Sequence, residues 1–524
     1  MVTNTESIND ILGDGGLSSV VVAAQDASGA TVLVGAGKQF NSSVVDNEVL
    51  LVGDSMTARH FHYHIASAGS VSGTDLTLTI TAATAATGQA VTGSRCRVTG
   101  ATSAALNTWT TVVSQNGTSL ILRYTFDLTG LTPGTPTTWL PSLRGEGGYL
   151  NHVMALHRMQ GINSNIIDVQ GIGGDTFAKV IDRYATDVAP YLPCRVALFL
   201  GFNDAAAVEA ASYTQATMLG YARTLIEQLL ADGAQIDLIS PIPFVSGAAG
   251  VTVASVAILK AIRAQHQGYA NKYPTRINFV DAWEAVEDAD TGYAVAAYLF
   301  TTDKIHPVIA GAEAIADAYV TATAGTWIEG GVFTSLSNDD DYSNGGLNRV
   351  VNPMFEGTGG SHSGGTWTAG SVPDSWVVTV GTNGVVNNAT FTQRSQGGND
   401  YNIDFQPTGS SNVKLSQAIT DNGVKGTARR CSVEVQVSGT VTNTQYLNAA
   451  IEIVDGGVTQ HILVNRHFAA TATGATWPKV GTRYRFESDE FDIPASATSV
   501  TFRVYMQVNA AGTYAVALGC PQVW

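Results

Sequence analysis

The sequence has little charge, few cysteines and no long hydrophobic run. Lys, Arg, Asp and Glu make up 13% of the 524 residues, and the formal net charge is −16. An acidic chain is repelled by nucleic acid and by anionic membrane surfaces, so we expect neither as a partner. No run is long and apolar enough to span a bilayer, and no basic, apolar leader opens the chain. Neither membrane insertion nor a signal peptide is therefore predicted.

Cysteine usage gives no support for a zinc or redox motif. Cys96, Cys194, Cys431 and Cys520 are far apart and show no C-x-x-C spacing, which those motifs require. Cys431 and Cys520 are either a disulfide within one C-terminal domain or two isolated buried thiols.

Two clusters of metal-ligand residue types remain, and neither completes a site. His60, His62 and His64 lie in a segment, Met56 to about Ser67, that is predicted to be helical. There the i, i+2, i+4 spacing puts the middle ring off the face of the outer two. Residues 339–341 are three Asp that offer oxygen ligands for Ca²⁺, but without a full ligand set they fit a solvated linker better. We expect no metal and no cofactor.

Glycine is abundant, with 55 residues, and Thr, Ser, Val and Ala dominate long stretches. Such a composition is typical of β-rich, turn-rich extracellular proteins, so an extracellular location is expected. A chain of 524 residues exceeds what one hydrophobic core organises, so several domains are predicted.

Continuous apolar runs predict a parallel sheet. Each run is short, ends at polar or glycine residues, and is followed by a helical pattern, which is typical of strands buried on both faces. Strands that alternate with helices form a doubly wound α/β fold. Five such strands are predicted, at residues 48–53, 166–169, 195–200, 236–241 and 277–281.

β-type patterns occupy most of the remaining chain. Residues 70–146 are predicted to form an antiparallel β subdomain inserted into an α/β domain at 48–325. Evenly spaced strands at 347–524 predict a β-sandwich or jelly roll, joined by a polar linker at 326–346. Residues 1–47 contain a predicted hairpin, which is either an attachment segment or an extra strand pair on the core.

Polar residues follow three of the predicted strands and precede the last helix. Ser55, Gly174 and Asn203 follow the first three strands, and Asp303 and His306 lie in the loop before the final helix. Parallel strands share their carboxyl edge, so these residues should converge there. His306 would accept the Ser55 proton while Asp303 holds its ring. Backbone N–H groups of Ser55 and Gly174 and the Asn203 amide would stabilise an oxyanion. The tripeptide that ends at Ser55 also fits an ordinary turn, so the prediction depends on the whole set.

These segments resemble the four sequence blocks of the SGNH (GDSL-type) hydrolases. The resemblance covers roughly residues 48–325 and implies a flavodoxin-like fold and a carboxylic ester hydrolase. It implies a triad of Ser55, Asp303 and His306, with the oxyanion hole at Ser55, Gly174 and Asn203. The four blocks are Gly53-Asp-Ser55, Gly171-Ile-Gly-Gly-Asp-Thr176, Gly201-Phe-Asn-Asp204 and Asp303-Lys-Ile-His306.

The chain departs from the family pattern in the spacing of its first two blocks. Ser55 and Gly174 are 174 − 55 = 119 residues apart, whereas a bare βαβ step needs roughly 30. The surplus is the predicted β insertion. It leaves the site residues intact, but substrate preference cannot be carried over from the family.

The C-terminal region resembles jelly-roll carbohydrate-binding modules. The resemblance lies in Asn352-Pro-Met-Phe-Glu-Gly357, followed by Pro373-Asp-Ser-Trp376. Trp367, Trp376 and Trp477 are candidate sugar-stacking platforms, although the large area that tryptophan buries favours core packing for each. Among the activities of the hydrolase family, we therefore favour removal of O-acetyl groups from an acetylated polysaccharide.

The combination of an esterase with β-rich modules also resembles phage tail receptor-binding proteins that deacetylate surface polysaccharide. Such proteins are commonly homotrimers, so a virion-tail location and a homotrimer are expected from this resemblance. Three alternatives stay open. A secreted plant-polysaccharide acetylesterase has the same parts but normally a signal sequence. A lipid or thioester hydrolase would have an apolar acyl channel. A non-catalytic glycan-binding adhesin would release no acetate.

Overall fold

The structure is a computed structural model. His60, Trp477, the aspartates at 339–341 and most of the predicted linker at 326–346 lie outside the residues that it describes. Those residues are 22–25, 31–34, 47–58, 61–81, 95–116, 118–144, 148–192, 194–248, 251–327, 348–395, 397–419, 424–439, 444–463, 480–488 and 491–524.

The described part of the chain has strands along most of its length and helices mainly between residues 149 and 322. The strands are β1 Val22–Gln25, β2 Thr31–Val34, β3 Glu48–Gly53, β4 Phe61–Ser72, β5 Asp75–Ile80, β6 Arg95–Thr99, β7 Trp109–Asn116, β8 Ser119–Arg123, β9 Thr137–Arg144, β10 Asn165–Gly171, β11 Arg195–Phe199, β12 Gln235–Ile239, β13 Ile277–Val280, β14 Ser361–Trp367, β15 Val377–Gln393, β16 Asn399–Phe405, β17 Ser411–Ala418, β18 Thr427–Arg429, β19 Cys431–Gly439, β20 Thr444–Asp455, β21 Val458–Leu463, β22 Arg483–Glu487, β23 Phe491–Ile493, β24 Ser499–Val508 and β25 Tyr514–Val523. The helices are α1 Ser55–Ala58, α2 Tyr149–Met159, α3 Phe177–Asp182, α4 Tyr184–Asp187, α5 Phe202–Glu209, α6 Gln215–Ala231, α7 Val253–Lys272, α8 Ala282–Val286 and α9 Ile309–Ala322.

Internal contacts divide the chain into two compact units. The first contains Met1–Arg59 and Gln160–Gly331, and the second contains His60–Met159 and Val332–Trp524. The segment that separates the first two strands of the parallel sheet thus groups with the C-terminal region.

The first unit is built on the parallel sheet that the apolar runs predict. Its strand order is β10-β3-β11-β12-β13, and every neighbouring pair is parallel. This is the flavodoxin-like order, in which the first strand lies between the second and third. β3 is buried from Val49 to Gly53 because both faces of the sheet are covered. The carboxyl end of β3 is therefore flanked by the loops that follow β10 and β11.

The long helices of this unit begin and end at capping residues. The Thr214 hydroxyl accepts the Thr217 backbone N–H at the start of α6, and Gly233, with a φ of +89°, follows its end. The buried positions of α6 recur every three or four residues, so one face packs on the sheet. Among the described helices, none is both long and apolar enough to cross a membrane.

In the second unit, the inserted segment forms a closed barrel with strand order β4-β5-β8-β7-β6-β9. Its first strand corrects one expectation, because the helix predicted from Met56 to Ser67 ends at Ala58 and β4 begins at Phe61. Phe61, Tyr63 and Ile65 alternate with histidines, which is the period of a strand rather than of a helix. The barrel therefore begins before the predicted boundary at residue 70.

Helix α2 packs on the C-terminal strands of the same unit. Ala155 belongs to the core of the C-terminal domain, and Arg158 donates to Glu487 of β22 at 2.8 Å, with both side chains nearly buried. The sequence pattern of α2 is helical, but it does not show that the helix packs on the C-terminal strands.

The C-terminal strands form a β-sandwich. The long strand β15 pairs with β17 along its first part and with β16 along its second, and Asn383, with a φ of +64°, lies at the change of partner. Trp376 is 1% exposed and packs against Phe355 and Phe502 in the sandwich core. Cys431 and Cys520 are both buried and are not joined by a disulfide.

Candidate active site

The first site segment is the tight passage from β3 into α1. A side chain at Gly53 would place its Cβ 2.0 Å from Thr57 Oγ1 and 2.4 Å from the Phe199 carbonyl oxygen. Only glycine allows β3 to approach β11 so closely while the chain turns into the helix. Asp54 Oδ1 accepts the Met56 backbone N–H at 2.9 Å and caps the turn. Ser55 is thereby held at the carboxyl edge of the sheet.

Ser55, His306 and Asp303 form a continuous hydrogen-bonded chain. His306 Nε2 lies 2.7 Å from Ser55 Oγ, and His306 Nδ1 lies 2.9 Å from Asp303 Oδ2. The ring can therefore accept the hydroxyl proton at Nε2 when Nδ1 carries the hydrogen donated to Asp303. This is the arrangement that activates a serine nucleophile.

The loop that carries Asp303 and His306 is itself held in one conformation. Asp303 Oδ1 accepts the backbone N–H groups of Ile305 and His306 at 2.9 and 3.0 Å. Lys304, which lies between Asp303 and Ile305, has a φ of +61°, so the chain curls around the Asp303 carboxylate. Burial would raise the pKa of Asp303, but the hydrogen bonds from His306 and Ile305 outweigh it, and the pKa lies below its usual value. Asp303 is therefore ionised when it orients the imidazole.

The loop after β10 presents a backbone N–H beside the serine. The Asp175 N–H donates to the Ile172 carbonyl at 3.1 Å, and Gly174 at the third turn position has a φ of +83°, as a type II turn requires. Lys179 Nζ donates to the Gly174 carbonyl at 2.9 Å. Within the described part of the chain, the N–H groups of Ser55 and Gly174 donate to no protein acceptor. Both are available to a bound oxygen.

Asn203 comes from the start of α5, after β11. Its side-chain Nδ2 contacts Asp54 Oδ2 at 3.2 Å and the Asp175 carbonyl at 3.0 Å. Its amide is thus fixed by the two other site segments, and the structure brings all three predicted oxyanion donors to the edge where Ser55 lies.

Two buried carboxylates, Asp54 and Asp204, were not assigned a role from the sequence. The Asp204 oxygens accept the Phe177 backbone N–H at 3.2 Å, and Oδ1 also accepts the Tyr213 hydroxyl at 2.9 Å. Burial raises the pKa of each to about 7. In the sequence, what could have indicated a role in the site was their position, Asp54 directly before Ser55 and Asp204 directly after Asn203.

The predicted sugar platforms differ in exposure. Trp376 is buried, which corrects its prediction as a stacking residue, because a ring inside the sandwich core cannot contact a polysaccharide. Trp367 is partly exposed at the end of β14, and His362 stacks on it at 4.5 Å between centroids. The described residues contain no group of three or more His, Cys, Asp or Glu placed to share a metal ion.

Residues 131–314 match the model of the GDSL-like Lipase/Acylhydrolase family. The matched span includes Gly174, Asn203, Asp303 and His306 but begins after Ser55. A search of the curated proteins found no matching sequence.

Solved structures are similar to about half of this chain. One is the acetylxylan esterase Axe2 from Geobacillus stearothermophilus, at 16% identity over 54% of this chain and 95% of that chain, with a TM-score of 0.31. Another is LAE5, an alpha/beta hydrolase enzyme from the metagenome of Lake Arreo, Spain, at 16% identity over 53% of this chain and 96% of that chain, with a TM-score of 0.31.

Proposed function

Starting from a GDSL-like hydrolase domain in this chain, we propose a serine esterase that removes O-acetyl groups from a polysaccharide. The observation that carries the proposal is the hydrogen-bonded chain from Ser55 through His306 to Asp303. A serine hydroxyl is a weak nucleophile unless a base accepts its proton. In this site the base is already within hydrogen-bonding distance.

In the first half of the reaction, Ser55 Oγ attacks the acetyl carbonyl carbon as His306 Nε2 accepts its proton. Asp303 stabilises the resulting imidazolium and stays ionised. The tetrahedral oxyanion accepts hydrogen bonds from the N–H groups of Ser55 and Gly174 and from the Asn203 amide, which exchanges its 3.2 Å contact with Asp54 Oδ2 for the oxyanion. His306 then donates the proton to the departing sugar oxygen, and an acetyl group remains on Ser55.

In the second half, His306 accepts a proton from water, whose oxygen attacks the acetyl carbonyl carbon. The same donors stabilise the second oxyanion. The Ser55 oxygen leaves and recovers its proton from His306, and acetate is released. Each aimed oxyanion donor is typically worth about 10²–10³ in rate.

The proposal of a polysaccharide substrate is supported by the C-terminal domain. The residues of β14 from Ser361 to Thr366 are exposed and polar, and His362 near the start of the strand stacks on Trp367 at its end. Aromatic faces at a polar surface suit the apolar faces of sugar rings. We further propose that the glycan is a bacterial surface polysaccharide and the protein a trimeric phage tail component, on the combination of an esterase with β-rich modules.

The test is acid release from a panel of acetylated polysaccharides and of aryl esters with increasing acyl length. We expect acetate from at least one polysaccharide and the highest kcat/KM for the acetyl ester. Activity that rises with acyl length would instead indicate a lipid or thioester hydrolase. Glycan binding without acid release from any ester would indicate an adhesin.

A further inference from the structure

Gly173 is an exposed glycine beside Ser55. A Cβ at this position would lie 3.9 Å from Ser55 Cβ, and among the residues that the structure describes no other atom beyond its chain neighbours would come within 4 Å. Its φ lies outside the left-handed region, so the backbone itself does not require glycine there. The missing side chain therefore leaves an open space that borders Ser55.

The turn at residues 172–175, which forms one wall of this space, is held by hydrogen bonds. The Asp175 N–H donates to the Ile172 carbonyl at 3.1 Å, and Lys179 of α3 donates to the Gly174 carbonyl at 2.9 Å. The wall is backbone fixed at two points rather than a side chain that can change rotamer. A group added to it would therefore reduce the open space.

The catalytic base decides on which side of Ser55 each part of an ester lies. His306 has to donate a proton to the departing alcohol oxygen, so the alcohol lies on the His306 side. The acyl chain is the other substituent of the reacting carbonyl carbon. It therefore extends from Ser55 in the direction away from His306.

The strand order puts Gly173 on the side away from His306. β10, which precedes Gly173, is the edge strand on one side of β3, whereas β11, β12 and β13 lie on the other side. The His306 loop belongs to this other side, because the Lys304 carbonyl accepts the N–H of Val245, which follows β12, at 3.0 Å. The open space at Gly173 is therefore on the acyl side of the carbonyl carbon.

We propose that Gly173 is a specificity-determining residue, and that the space left by its missing side chain receives the acyl chain of the ester. The inference rests on the proposed esterase function and adds to it the residue that limits acyl length. In an apolar pocket one methylene changes kcat/KM by about 10–200-fold. A single methyl group at position 173 should therefore have a measurable effect.

The test compares kcat/KM of wild type, Gly173→Ala and Gly173→Val for aryl formate, acetate, propionate and butyrate with the same alcohol. The alanine methyl fills about the volume of one acyl methylene, so the tolerated acyl chain should shorten by about one carbon. We expect kcat/KM for the longest ester that wild type cleaves, relative to formate, to fall by about 10–200-fold in Gly173→Ala. It should fall further in Gly173→Val.

A second series keeps the acetyl group and varies the alcohol from methyl to aryl to a sugar. Gly173→Ala should change kcat/KM for all these acetyl esters by one common factor, because the alcohol lies on the His306 side. The matched control is Gly268→Ala, at an exposed glycine of α7 whose Cβ would meet no described atom within 4 Å outside the helix backbone and its chain neighbours. It should leave every ratio unchanged.

Circular dichroism shows which variants fold, and Gly173→Ala carries the test if Gly173→Val does not fold. An unchanged acyl ratio would overturn the inference and leave the esterase intact. Ratios that change with the alcohol instead would overturn it too, as would failure of both variants to fold, because the space would then be required for packing. Wild type that cleaves no ester would overturn the proposed function, and the inference with it.

Discussion

His306 Nε2 lies 2.7 Å from Ser55 Oγ although 251 positions separate the two residues along the chain. The contact exists because β3, which lies between β10 and β11 in the parallel sheet, delivers Ser55 to the edge where the loop before α9 ends. Neither residue needs the other for its local structure. Ser55 is held by the turn that Asp54 caps, and His306 by the Asp303 loop.

The proposed nucleophile, Ser55, can therefore be removed without disturbing the fold. Ser55→Ala is expected to lower kcat for an aryl acetate by more than about 10³-fold, since the hydroxyl forms the acyl intermediate. The melting temperature should change by less than about 2 °C. Ser212→Ala, at an exposed serine after α5, is the matched control and should retain wild-type kcat. Retained turnover in Ser55→Ala would refute the assignment.

The Asp303 carboxylate holds the His306 ring and also accepts two backbone N–H groups of its own loop. Asp303→Asn is expected to lower kcat by about 10²–10⁴-fold, because the amide favours the wrong imidazole tautomer and no longer stabilises the imidazolium. KM should change little, since the carboxylate does not reach the substrate. Steady-state kinetics check this, and circular dichroism shows whether the loop change unfolds the domain. An unchanged kcat would contradict the role.

Backbone conformation predicts a stabilising substitution away from the site. Ala211 follows the end of α5 with a φ of +55°, which is strained for a residue with a Cβ. Ala211→Gly should raise the free energy of unfolding by about 1 kcal/mol. Gly233 occupies the corresponding place after α6 with a φ of +89°. Gly233→Ala should therefore lower the free energy of unfolding by a similar amount. Urea unfolding measures both, and equal stabilities in all three proteins would argue against strain.

Two tryptophans of the C-terminal domain should respond in opposite ways. Trp376→Ala leaves a large cavity among Phe355 and Phe502 and should cost about 3–5 kcal/mol of stability. Trp367→Ala should change stability far less and should weaken binding to the substrate polysaccharide, measured by affinity electrophoresis. Unchanged glycan binding in Trp367→Ala would remove the support that this ring gives to the polysaccharide proposal.

The second unit should lose stability in mild acid through His152. This ring is buried on α2 in an edge-to-face contact with Tyr484, and burial lowers its pKa to about 4 from the ordinary value of 6.5. Between those values the unfolded chain binds a proton that the folded protein does not, so stability falls as pH drops through this window. At pH 4.5 the loss is about 2–3 kcal/mol relative to pH 7.5.

His152→Gln provides the comparison for that loss. Because all other groups titrate in both proteins, the difference in their unfolding free energies isolates His152. We expect the difference to shrink or reverse in favour of the variant between pH 7.5 and pH 4.5. A pH-independent difference would show that His152 does not titrate in this window.

Local residue patterns were sufficient to predict the parallel sheet and the segments of the site. Short apolar runs such as Val49–Val52 must be covered on both faces, which requires alternating helices. The blocks that contain Gly174 and Asn203 follow such runs directly, so their meeting at one edge follows from parallel strands alone.

Other features depended on contacts between distant residues. The sequence could not show that α2 packs on the C-terminal sandwich, since Arg158 and Glu487 are 329 positions apart. It could not separate the buried Trp376 from the partly exposed Trp367, because the two residues have the same chemistry and differ only in what surrounds them.

The sequence by itself determined which residues can form a nucleophile, a base and a set of oxyanion donors, because residue type and strand position specify those capacities locally. Only the tertiary structure decided that Asp54 holds the Asn203 amide and that the segment after Ser55 becomes a barrel strand. Hydrogen bonds and strand pairing between distant segments depend on three-dimensional position, which no local pattern contains.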